Sequence, residues 1–257
     1  MLAAPLLVGV VGGGPRWAHL LLAVAWFVAY FAFNATGLWL KARRRPRYWP
    51  ATRAYGISLA VVGLPLVALD PRLLWWAPVF APLLAIGLWC SWTRRERSLL
   101  NDGATVLAAC LMAVVAWQLG SHPYDAPAAA WAWAAVLWVY FFGTALYVKT
   151  MIRERGNPVM LRLSIGYHGV AAVLAVGISA VRSYAVADAI DGNNATIELP
   201  TLGLHPDTWL WIAAFFAVLT VRAWLVPARL PRATPQQLGI GEVVATVAVV
   251  ALFLVAP

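Results

Sequence analysis

The chain has 257 residues, 63% of them hydrophobic and only 11% charged, with a mean hydropathy of +0.77. A soluble domain is about a quarter charged, so this composition excludes an ordinary soluble fold. The formal net charge of +9 and the pI near 10.2 would suit nucleic acid, but the charges stand between apolar runs, where they serve membrane topology, and no nucleic-acid partner is expected.

Apolar runs of about 18 residues or more recur along the chain, the length that crosses a bilayer as a helix. They are continuous rather than alternating, which selects helices over a barrel. The expected fold is an all-α, polytopic transmembrane bundle of eight to nine helices in a single integral membrane domain spanning 1–257, and the expected partner is the lipid bilayer.

In chain order, residues 1–12 are apolar but short for a core about 30 Å thick. No positive segment precedes them and no small-residue cleavage site follows, which argues against a signal peptide. They read as a truncated first helix or a re-entrant piece, broken at Gly12–Pro15. Full spans are expected at 17–40, 52–69, 73–92, 103–120, 127–148, 159–181, 208–226 and 239–256. Pro65, Pro78 and Pro82 fall inside spans and should kink them. Cys90 and Cys110 sit in apolar runs as small packing residues, without the ligand spacing of a metal site.

The connecting segments alternate in charge. Basic residues crowd into 41–53, 94–97, 149–162 and 222–232, which together hold sixteen of the nineteen Lys/Arg. The intervening segments hold Arg16, Arg72 and Arg182 with six of the acids. The positive-inside rule puts the basic segments in the cytoplasm. Trp and Tyr at span edges, such as Tyr48, Trp49, Trp75, Trp76, Trp131 and Trp209, form the interfacial belt. The longest outer segment, 182–207, reads as an extracytoplasmic loop carrying the triplet Asn194-Ala-Thr196, an N-glycosylation pattern by letter.

One repeat stands out. Phe33–Lys41, FNATGLWLK, recurs 108 positions later as Phe141–Lys149, FFGTALYVK. Phe33, Thr36, Leu38 and Lys41 match Phe141, Thr144, Leu146 and Lys149, and these two lysines are the only ones in the chain. The pattern suggests an internal duplication of roughly four helices each. Near these cytoplasmic ends lie most of the unusual polar residues. Helical spacing puts Asn34 with Lys41, Arg97 with Asn101, Lys149 with Arg153, Thr150 with Glu154, and Ser164 with His168. If the repeats converge, they form a basic pocket with apolar and aromatic walls, suited to a phosphate, diphosphate or carboxylate on a lipid tail. Plainer readings stand beside this one: topogenic charge for Arg43–Arg45, exposed ion pairing for the two Arg-Glu-Arg runs, snorkelling for the lysines, helix capping for Asn101-Asp102, packing for Ser164 and His168, and a favourable dipole position for Glu242. Walker, HExxH, GxSxG and CxxC motifs are absent, and no aspartate pair offers a Mg²⁺–diphosphate ligand set.

The stretches YFAFNATGLWLKARRRPRY, ERSLLNDGATVLAACLM and YFFGTALYVKTMIRERGNP resemble the YwiC-like family of bacterial integral membrane proteins over nearly the whole chain. Members of that family begin with a His-Gly-Ala-Trp-like motif before the first apolar run, so the resemblance implies a nine-helix parent and a start upstream of Met1. A more distant likeness, in order and topology, is to UbiA-type prenyltransferases, whose active motifs follow helices two and six. Those enzymes use aspartate-rich motifs where this chain has Asn34, Lys41 and arginines, then Lys149–Arg155, so their catalytic residues do not carry over.

The leading expectation is a cytoplasm-facing site for an anionic amphiphile such as an isoprenoid phosphate or diphosphate. Lys41, Lys149, Arg97 and Arg153 would bind the head, with Asn34, Asn101 and Tyr147 orienting it. Asp102, Glu154 and His168 would act as acid or base if a divergent transferase reaction follows. No cofactor is indicated. A transporter of a small anion or lipid and a non-catalytic membrane assembly partner are the alternatives.

Overall fold

Four of the long apolar runs, those starting at Leu99, Pro158, Pro206 and Pro235, begin where a side chain accepts from the free backbone donors of the first helical turn. A computed structural model describes residues 1–121, 126–190 and 204–256. Among these residues there are nine α-helices and no strand: α1 Ala3–Gly13, α2 Ala18–Lys41, α3 Trp49–Leu69, α4 Ala77–Trp92, α5 Leu99–Gly120, α6 Ala128–Ile152, α7 Pro158–Ile190, α8 Pro206–Arg229 and α9 Pro235–Val255. Eight of them, α2 to α9, are long and apolar enough to cross a bilayer, α4 when counted with the 3-10 turn Pro71–Trp76 before it. The chain is a multi-pass membrane protein of the expected all-α class.

The starts follow the sequence. Ser98 caps α5 by accepting from the Asn101 amide at 3.2 Å, with Asp102 favourably placed in the first turn. Asn157 Oδ1 accepts from the Val159 and Met160 amides ahead of α7. Thr234 and Gln237 form a reciprocal capping box on α9, with Pro235 at its first position.

Several boundaries differ from expectation. The helix α7 continues to Ile190, so the segment expected as a loop from 182 starts helical. The triplet Asn194–Thr196 lies outside the described residues. Pro65 and Pro82 are inside α3 and α4, but Pro78 occupies the first turn of α4, where no intrahelical donor is missing. Arg222 belongs to α8 rather than to the basic segment after it. Cys90 and Cys110 are free and buried.

The helices α2 and α4 end alike. Beyond α4, Arg94 takes φ 59° and the Arg95 amide reaches back to the Cys90 carbonyl at 2.7 Å. Beyond α2, Arg43 takes φ 54° and the Arg44 amide reaches the Trp39 carbonyl at 2.8 Å. Both are Schellman closures with arginine where glycine is usual. Left-handed backbone costs a non-glycine residue about 1–2 kcal/mol. Arg94→Gly should therefore raise the stability of the detergent-solubilised protein by about 1 kcal/mol, read as a higher thermal midpoint; a fall would mean the arginine side chain contributes more than its strain costs.

The chain divides into two compact units, Met1–Ala126 and Pro127–Pro257. The first holds α1 to α5 and the second α6 to α9. In the first unit α1 lies along α5, α2 pairs with α3, and α4 packs on α2 and α5. Leu6, Leu22, Ala25, Met112, Val115 and Leu119 form its core. In lipid, close helix approach depends on small residues rather than on hydrophobic burial, and Gly9, Gly12 and Gly13 of α1 supply them against Ala113, Ala116 and Trp117 of α5. The buried His19 ties α2 to the end of α5: it accepts from the Arg16 amide at 2.9 Å through Nδ1 and donates from Nε2 to the Ala116 carbonyl at 2.9 Å.

In the second unit α7 and α8 make the most extensive pair, α6 flanks α7, and α9 rests lightly on α6 and α8. That light contact leaves a groove along α8 and α9.

Candidate functional site

The sequence-derived candidates divide between the two units. In the first, Asn34 donates its side-chain amide to the Tyr30 carbonyl of its own helix at 2.8 Å and is exposed. Lys41, the last residue of α2, pairs with Glu96 at 2.8 Å, with the two side chains 47% and 30% exposed. Asn101 donates to the Glu96 carbonyl at 2.8 Å. Thus Lys41, Glu96, Ser98 and Asn101 form one hydrogen-bonded group that closes the α4–α5 connection. Arg97 is exposed on that connection, and Asp102 follows in the first turn of α5.

In the second unit Lys149 is half-buried three residues before α6 ends, with Arg153 as its exposed C-cap. Glu154 accepts from the Asn157 amide at 3.0 Å. His168 is fully buried on α7. Its Nδ1 lies 2.7 Å from the Ser164 carbonyl, which can only accept, so Nδ1 carries the proton and Nε2 presents a lone pair. That Nε2 faces Gly143 of α6, where an added Cβ would stand 2.7 Å away. Only glycine lets the imidazole sit there.

The most concentrated chemistry lies around Arg222, which the sequence groups with loop charge, and Glu242, which it offers only as a favourable dipole position. Arg222 of α8 and Glu242 of α9 stand 2.9 Å apart, Nη1 to Oε1, with side chains only 17% and 14% exposed. Thr144 of α6 donates to the other carboxylate oxygen at 2.9 Å. The Arg222 guanidinium lies 4.3 Å from the Tyr147 ring centroid, a cation–π distance. Tyr140 Oη and Thr246 Oγ1 are 3.0 Å apart one turn along. Each charge is seven residues from the end of its helix, about 10 Å at 1.5 Å per residue, so the pair lies within the spans and not at their rims. Arg222 Nε and Nη2 are buried and donate to no protein partner among the described residues.

Two cavities share Arg222 and Gly241 in their walls. A groove of about 700 Å³ runs between α8 and α9 from Arg222 and Gly241 to Trp211 and Val255, walled by Phe215, Val218, Val244 and Ala248. A smaller cavity of about 160 Å³ lies on the other side of Arg222 and Gly241, bounded by Tyr147, Leu230, Ala233 and Gln237. The smaller space leads towards the α8–α9 connection.

The sequence did carry a signal for this cluster. Tyr140, Thr144 and Tyr147 follow the i, i+4, i+7 spacing of one helical face, and Glu242 and Thr246 are i, i+4 on another. Arg222 was obscured because it was grouped with Arg229 and Arg232 as loop charge.

The sequence pattern of the family described as YwiC-like protein matches residues 1–117. An uncharacterised protein of Bacillus subtilis, YwiC, is 34% identical over 170 residues, covering 65% of this chain and 70% of that protein. An uncharacterised protein of Haemophilus influenzae is 26% identical over 182 residues, covering 68% of this chain and 73% of its own length. No solved structure matches the chain.

Proposed function

The chain belongs to the YwiC-like family and is a multi-pass membrane protein; from that premise we propose that it binds an anionic amphiphile at the cytoplasmic side of a bacterial cell membrane. The observation that carries this reading is the apolar groove between α8 and α9 that ends on Arg222. An acyl or isoprenoid chain suits the groove, and a phosphate, diphosphate or carboxylate suits the guanidinium. Gly241 and Val255 are fourteen residues apart on α9, so the groove is about 21 Å long, enough for a fatty chain or a short polyprenyl tail. The smaller cavity gives the head group room beside Arg222 and Tyr147. Lys149, Arg153 and Arg155 at the ends of α6 and its following turn raise the local positive potential for an approaching anion.

The test is native mass spectrometry of the full chain in mild detergent with added hexadecane sulfonate, using hexadecanol as the neutral control. Val244 lines the groove, is 64% exposed and makes none of the ion pair's hydrogen bonds. The wild type should retain the sulfonate and not the alcohol, and Val244→Trp should lose at least about tenfold in occupancy by filling the groove, a loss of 1.4 kcal/mol. Equal retention by wild type and variant, or equal retention of sulfonate and alcohol, overturns the reading.

A further inference from the structure

We infer that binding of an anion at Arg222 is coupled to uptake of one proton by Glu242, so that the site takes its ligand as anion plus proton. This inference rests on the amphiphile reading above and specifies how that site balances its charge.

The argument is a charge count in a poorly solvated place. The ligand-free cluster holds one guanidinium and one carboxylate 2.9 Å apart and is neutral. An arriving head group with one negative charge leaves one charge uncompensated within the spans. An isolated buried charge is costly enough that a titratable group usually neutralises instead. The groups facing Glu242 are Arg222 from α8, Tyr140, Thr144 and Tyr147 from α6, and Thr246 one turn along its own helix. Arg222 stays charged under all ordinary conditions, and the hydroxyls are already protonated. The carboxylate is the member of the cluster able to absorb a proton.

The cation paired with Glu242 is Arg222, and Lys149 lies nearby on α6. It is two residues from Tyr147 on α6, so the two side chains project about 200° apart, on opposite faces. His168 of α7 is the other base within electrostatic reach of Arg222, and it is the rival acceptor. The cavity of about 160 Å³ beside Arg222 lies on the side of the α8–α9 connection. When the ligand leaves, the proton departs, and Glu242 regains its ion pair.

The experiment is calorimetric titration of hexadecane sulfonate into the full chain in phosphatidylcholine nanodiscs, in buffers of different ionisation enthalpy. The sulfonate keeps one charge across the range, so proton exchange belongs to the protein. The expected result is about one proton taken up per probe near pH 7, with affinity falling about tenfold for each unit of rising pH. Glu242→Gln should bind with no proton exchange and with an affinity that does not change with pH. Wild-type binding without proton uptake overturns the coupling and leaves amphiphile binding standing. Undiminished uptake in Glu242→Gln, with its loss in His168→Gln, overturns the assignment to Glu242. No wild-type binding of the sulfonate overturns the amphiphile reading, and the coupling with it. Should Glu242→Gln fail to fold, the wild-type proton count still decides the coupling.

Discussion

Arg222→Met should destabilise the protein by about 3–5 kcal/mol, because it leaves a buried carboxylate without its cation. Glu242 would keep only the Thr144 hydroxyl, at 2.9 Å, among the contacts it now makes to its carboxylate. The mirror variant Glu242→Leu should cost a similar amount, since it leaves the guanidinium with the Tyr147 ring as its remaining charge-stabilising contact. The double variant Arg222→Met/Glu242→Leu should cost much less than the two single changes together, because it removes both desolvated charges and leaves packed apolar groups. Equilibrium unfolding of the four proteins in one detergent closes the cycle. Lys41–Glu96 supplies the contrast. Its ion pair is 2.8 Å long, as short as Arg222–Glu242, yet its side chains are 47% and 30% exposed. Lys41→Met should therefore cost below about 1 kcal/mol. If the two methionine variants cost the same, burial does not set the strength of these pairs, and the charge count at Arg222 loses its basis.

That contrast also explains how far the sequence could be read. The spans were legible because length and apolarity decide them, whereas the α5 cap offered at Asn101-Asp102 is Ser98, three residues earlier. The repeated lysines were legible as rare residues, but matched positions did not mean matched surroundings. Lys41 ends its helix and meets Glu96 from the α4–α5 connection, whereas Lys149 precedes its helix end by three residues. Which side chain arrives opposite each lysine depends on tertiary packing, and no local pattern encodes it. Arg222 failed to stand out for a related reason. A single arginine in an apolar run reads as interfacial until its counter-ion is known, and that counter-ion is twenty positions away on another helix. His168 stands out in the sequence as a packing or pocket residue, but its dependence on Gly143 could not be seen before α6 and α7 were brought together.

The short α1 supports the second large effect. Gly13→Ala should destabilise by at least about 3 kcal/mol, and no change at Trp117 should rescue it. A Cβ at Gly13 would fall on the Trp117 backbone carbonyl, and one at Gly120 on the Gly13 carbonyl, so the two backbones touch at this point. Backbone inside a hydrogen-bonded helix cannot yield without moving the whole helix, and α1 would have to leave α5. Gly12 gives the internal control. There the added Cβ would strike the Trp117 indole ring and not its backbone. Gly12→Ala should therefore be damaging in the wild type but largely restored by Trp117→Leu, which withdraws the ring. Thermal midpoints of the two glycine variants, each with and without Trp117→Leu, separate the cases. Rescue at position 12 alone identifies backbone contact as what seats α1, in keeping with helix association in lipid through small residues. Rescue at both positions would mean that the ring sets the spacing, and that α1 could be held at a larger distance without loss.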